Sequence, residues 1–113
     1  MKKFVLISLV LALLASIIFT DPIASEKFKS QYYVLKADRF GDYKSLVKYL
    51  QAYDGEAQSK VKYLHVGKWA KNNTTSFSNT LKMLNKEQCE NVLEAINIQL
   101  QDIGENVLSG CKY

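Results

Sequence analysis

Proline, histidine and tryptophan occur once each in this 113-residue chain, and cysteine twice. Each scarcity excludes something. One histidine and two distant cysteines do not make a zinc site, and without Cys-x-x-Cys there is no thiol redox motif. His65 is a satisfied structural histidine on this reading; a Ser-His-Asp hydrolase needs a serine and an acid to converge on it from elsewhere. The five glycines are scattered and form no phosphate-binding loop. No carboxylate pair stands out as an acid and a nucleophile, because Glu87, Glu90 and Glu94 fall on the exposed side of their helix. The chain reads as non-catalytic, with no cofactor and no metal.

What is present begins at the amino terminus. Lys2 and Lys3 precede sixteen uncharged, mostly apolar residues, Phe4 to Phe19, and then Thr20 and Asp21. A short basic region before an apolar core is the pattern of an export signal. As a helix, residues 4–19 span about 24 Å, less than the ~30 Å hydrocarbon core of a bilayer. Cuts after Thr20, Ala24 or Ser25 put Ile18, Pro22 or Ile23 where a small residue is preferred. Residues 1–20 are therefore a signal peptide or a membrane anchor helix, and residues 21–113 a single small domain. Either way the chain is exported, to the periplasm or the extracellular space, or anchored in the inner membrane through residues 4–19 if these are not cleaved.

Charge is partly a property of that leader. Without Lys2 and Lys3, thirteen basic residues face eleven acidic ones, a net of +2, which gives no ground for nucleic-acid binding. The balance is uneven along the chain. Lys27 to Lys71 holds ten basic and four acidic residues, Lys82 to Tyr113 three and five. Such asymmetry is that of an ordinary solvated surface, or else it orients the domain on an anionic surface or lets copies attract end to end. In an exported chain the two thiols, Cys89 and Cys111, read as one disulfide. Closing a loop of 22 positions stabilises the fold by about 3 kcal/mol in the chain-entropy model.

The periodicities predict an α+β domain. Phe28, Tyr32 and Leu35 give a loose helical stripe that Gly41 interrupts. Asp42 caps an amphipathic helix carrying Tyr43, Leu46, Val47, Leu50 and Tyr53 on one face, with Gly55 as its stop. Lys60 to Trp69 alternates β-branched and aromatic residues as a strand does. Lys71 to Ser76 is turn chemistry, and Phe77, Asn79, Leu81 and Met83 share a face of a second strand, completing an antiparallel β-hairpin. Asn85 and Gln88 have capping-box spacing, and Cys89, Val92, Leu93 and Ile96 follow as a buried stripe. Gly104 ends this disulfide-tethered helix, and Val107 to Cys111 is a short final strand.

Seven tyrosines, five phenylalanines and one tryptophan are many for such a domain. Aromatic side chains are enriched at contact surfaces, so Tyr32, Tyr33, Tyr49 and Trp69 either form a candidate surface for a protein partner or complete the small core.

The basic tip, the apolar helix starting at Phe4, and the run FSNTLKMLNKEQC from Phe77 to Cys89, closed by Cys111, resemble type IV pilins and minor pilins, in particular the type IVb C-terminal region. Lys3 stands where that family has a glycine, and Ser8 where it has a glutamate. The resemblance implies a filament or envelope component, self-assembling through its N-terminal helix. The alternatives are a soluble secreted or periplasmic binding, inhibitor or immunity-type protein and, third, a small secreted hydrolase. N-terminal sequencing of the mature protein separates the fates of the leader: a start at Phe4 accompanies a pilin-like helix, a start between residues 21 and 26 a discarded signal.

Overall fold

A computed structural model of the chain describes residues 22–52 and 56–112. The leader, residues 1–20, and Tyr53 with its Gly55 stop lie outside the described residues. Five helices follow in order: α1 Pro22–Phe40, α2 Tyr43–Gln51, α3 Glu56–Asn72, α4 Thr74–Lys82 and α5 Lys86–Asp102. There is no strand among the described residues, so the architecture is helical and not α+β.

Both expected strands of the hairpin are helices. Over Lys60 to Trp69 the chain forms most of α3, which packs against α1, α5 and α4. A helix with neighbours on several sides needs apolar residues around most of its circumference, so it shows no single stripe, and its β-branched and aromatic residues mimic alternation. In α4 and the turn after it, the buried residues are Phe77, Thr80, Leu81 and Leu84, a spacing of three, four and seven. Met83, placed inward by the strand reading, is exposed. Ten residues with polar Ser and Asn between apolar ones fit periods of 2 and 3.6 almost equally well.

The helix boundaries follow local chemistry. Gly41 ends α1 with φ 64°, a left-handed conformation that favours glycine. Asp42 caps α2: its carboxylate accepts from the Ser45 amide at 3.3 Å and the Ser45 hydroxyl at 2.8 Å, and it pairs with Lys36 Nζ at 3.1 Å. The Ser45 and Lys36 hydrogen bonds hold the Asp42 carboxyl below its usual pKa. At α5 the capping box is complete, Gln88 N donating to Asn85 Oδ1 at 2.8 Å and Asn85 N to Gln88 Oε1 at 3.2 Å. Gly104, at φ 75°, stops α5, with Gly104 N donating to Gln101 O and Glu105 N to Leu100 O. This is a Schellman ending.

After Gly104 the chain turns back without forming a strand. Asn97 takes the place of a pairing partner, donating to Leu108 O at 2.9 Å and accepting from Leu108 N at 2.8 Å. Lys71 meets Glu105 at 3.0 Å. Cys89 and Cys111 lie at disulfide distance, with their Cα atoms 6.0 Å apart, where such bridges are most common. Cys89 is in the buried stripe of α5 with Val92, Ile96 and Leu100, as its spacing predicts.

The core gathers Leu46 and Leu50 of α2, Val66 and Ala70 of α3, Phe77 and Leu81 of α4, and Ile96 and Leu100 of α5, with Val34 and Ala37 of α1 closing it. One cation sits inside. Lys62 is fully buried; its Nζ donates to Tyr49 O at 3.1 Å and Ala52 O at 3.2 Å, carbonyls at the end of α2, and lies 4.7 Å from the Tyr49 ring centroid. Burial lowers the Lys62 pKa, and the nearby Glu26 charge opposes that shift.

Helices α3 and α5 approach closely at Gly67. A Cβ there meets Ile96 Cγ2 at 2.9 Å and Leu100 at 3.3 Å. Gly67→Leu should therefore lower stability by about 1–3 kcal/mol through overpacking, read as a reduced midpoint in urea denaturation. Gly104→Ala tests backbone strain separately, since nothing lies near its side-chain position.

Candidate functional site

A groove of about 800 Å³ lies between α1 and α3. Its position follows from helix periodicity. Val61, Leu64, His65, Lys68 and Asn72 recur on one face of α3 at intervals of three, four, seven and eleven. Opposite them α1 supplies Lys27, Gln31, Val34 and Leu35. The floor is apolar, and among the described residues the charged side chains lining it are Lys27 and Lys68. As a strand, the same segment would put His65 and Lys68 on opposite faces.

His65 is half-buried in this groove. Its Nδ1 is 3.1 Å from the hydroxyl of Ser30, a fully buried residue whose Oγ donates to Lys27 O at 2.9 Å. A hydroxyl has one proton to give. With that proton on the Lys27 carbonyl, Nδ1–H of His65 donates to Ser30 Oγ, and Nε2 keeps the lone pair. A nucleophile and its base need the reverse polarity, with the serine donating to the imidazole. The contact ties α3 to α1. Burial, then Lys27, then Lys68 depress the His65 pKa below its ordinary value.

The four aromatic residues expected to form one contact surface are spread from solvent to core. Tyr32 is exposed and meets Tyr33 edge-on at 5.3 Å; Tyr33 is half-buried and stacks on Tyr49 at 4.7 Å. Tyr49 is buried, and its hydroxyl donates to Glu26 O at 3.4 Å. Trp69 is 8 % exposed, edge-on to Phe77 and in the groove wall, where its indole N–H is buried without a hydrogen-bond partner. Tyr49 and Trp69 are therefore corrected to core residues, because α2 and α3 turn them inward. Of the four, Tyr32 alone is fully at the surface.

Two outward faces escaped the sequence reading as a pair. On α1, Phe28 (72 % exposed), Tyr32 (52 %) and Leu35 (56 %) continue through Arg39, with Lys29 and Lys36 alongside. On α5, exposed Glu87, Glu90 and Glu94 run into Ile98, which is 47 % exposed, and Asp102. The signal was available: both stripes have helical spacing, and their charges are opposite. No group of three or more metal-ligating side chains occurs among the described residues, and none of the described helices is long and apolar enough to cross a membrane.

The depressed His65 pKa gives stability a pH dependence. The fold favours the neutral ring, so the unfolded chain takes up the proton first as pH falls. The His65 contribution is fully present above its ordinary value of 6.5 and is lost as pH drops through that value toward the lower folded one. Thermal unfolding should accordingly show wild type losing stability from pH 7 to 5 more steeply than His65→Gln; parallel curves contradict the assignment. No family model matches the chain, and no curated protein or solved structure matches it.

Proposed function

We propose that this is an exported bacterial protein that works by protein–protein contact and not by catalysis, and that its partner is a second copy of itself. The observation carrying this reading is the pair of outward faces. That of α1 is apolar along Phe28, Tyr32 and Leu35 and basic at Lys29 and Arg39; that of α5 is acidic with Ile98 in its middle. Helices α1 and α5 both pack on α3, and each keeps its outward face exposed. A contact of α1 in one copy with α5 in the next is heterologous, and repetition of such a contact builds rings or open filaments. Apolar side chains at the centre with charges around them is the usual anatomy of an interface.

Export rests on the basic and apolar leader, and the envelope or filament role on the pilin resemblance. The hairpin and final strand on which that resemblance drew are absent among the described residues, so the assembly argument stands on the helical faces.

Sedimentation and light scattering test it with two double variants. Lys29→Glu/Arg39→Glu makes the α1 face acidic, and Glu90→Lys/Glu94→Lys makes the α5 face basic. Wild type should associate as concentration rises, and less so at high salt. Each variant alone should be monomeric, and an equimolar mixture should associate again, because every junction is then complementary. Association indifferent to these reversals contradicts the contact; a monomeric wild type favours the soluble binding-protein alternative.

A further inference from the structure

We propose that the groove between α1 and α3 binds a single-chain amphiphile with a carboxylate head, its chain lying along Val34, Leu35, Val61 and Leu64 and its head between Lys27, His65 and Lys68. The volume, about 800 Å³, lies within the range of small-molecule sites. The apolar floor selects a hydrocarbon. Charge selects an anion: among the described residues Lys27 and Lys68 line the groove, no carboxylate does, and neither lysine has an acidic partner.

Two further features agree. The geometry of Ser30 and His65 leaves Nδ1 occupied as a donor, so protonation at Nε2 adds a second hydrogen-bond donor for an anionic head. Burial, and then the two lysines, oppose that protonation, and the charge of a bound anion favours it. The buried indole N–H of Trp69, in the same wall, is a donor without a protein acceptor. The site shares Leu35 with the α1 face but does not depend on self-association.

Trp69 is the only tryptophan, so its fluorescence reports the groove directly. The full chain is titrated with dodecanoate below its micelle concentration, in parallel with dodecyltrimethylammonium and dodecanol. Dodecanoate should change the Trp69 emission with one-site saturation. Removing both positive charges in Lys27→Gln/Lys68→Gln, exposed positions that leave the core intact, should weaken binding about tenfold. The cationic amphiphile should bind at least as much more weakly than dodecanoate. Absence of saturable dodecanoate binding, equal binding of the anionic and cationic chains, or an unchanged affinity in the double variant each overturns the proposal. Sedimentation of the same samples separates it from the self-contact: lost association with retained dodecanoate binding refutes only the latter.

Discussion

Helix α3 has to be buried on several sides at once, and the rest of the fold is arranged around that requirement. Its Gly67 side touches Ile96 and Leu100 of α5. Its Val66 and Ala70 side enters the common core, and its Val61, Leu64 and His65 side faces α1 across the groove. A β-branched or long residue at position 67 forces α5 away, and with it the C-terminal chain. Site and scaffold thus share one helix.

The polar groups inside follow from the same placement. Lys62 points from α3 beneath the end of α2, where its ammonium donates to the carbonyls of Tyr49 and Ala52. A cation at a helix C-terminus also meets the negative end of the helix dipole. Desolvation opposes burying an ammonium, as the lowered pKa of Lys62 shows; the two carbonyls, the Tyr49 and Tyr63 rings and the nearby Glu26 charge compensate for it. At the other end of the molecule, the Schellman turn at Gly104, the Asn97 clasp on Leu108 and the Cys89–Cys111 pair return the tail over α4. There Gly110 lies so close to Leu81 that a Cβ would sit 2.7 Å from its Cδ1.

How much of this could be read beforehand depended on whether the signal was local. The Asp42 cap, the Asn85–Gln88 capping box, the glycine stops at 41 and 104 and the inward Cys89 are settled by a few neighbouring residues, and all were legible. Residues 60–83 were not. Val61, Tyr63 and His65 alternate, and so do Phe77, Asn79 and Leu81, but tertiary packing of α3 on three neighbours, and not intrinsic preference, chose the helix. The error propagated to the site. In a strand, His65 and Lys68 face opposite ways, whereas in a helix they share the groove with Lys27. The aromatic surface failed for a related reason, since composition counts Tyr49 and Trp69 without showing that α2 and α3 turn them inward.

Function, on this account, is a matter of which faces a small helical scaffold leaves open: a basic and apolar one on α1, an acidic one on α5, and the groove between α1 and α3. The groove, and the scaffold that carries the two faces, rest on residues 60–82 being helical. Backbone carbon chemical shifts of the folded protein test that most directly. Helical values from Lys60 to Asn72 and from Thr74 to Lys82, broken near Asn73, are the predicted result; extended values over Lys60–Trp69 and Phe77–Met83, with cross-strand contacts between them, would contradict it.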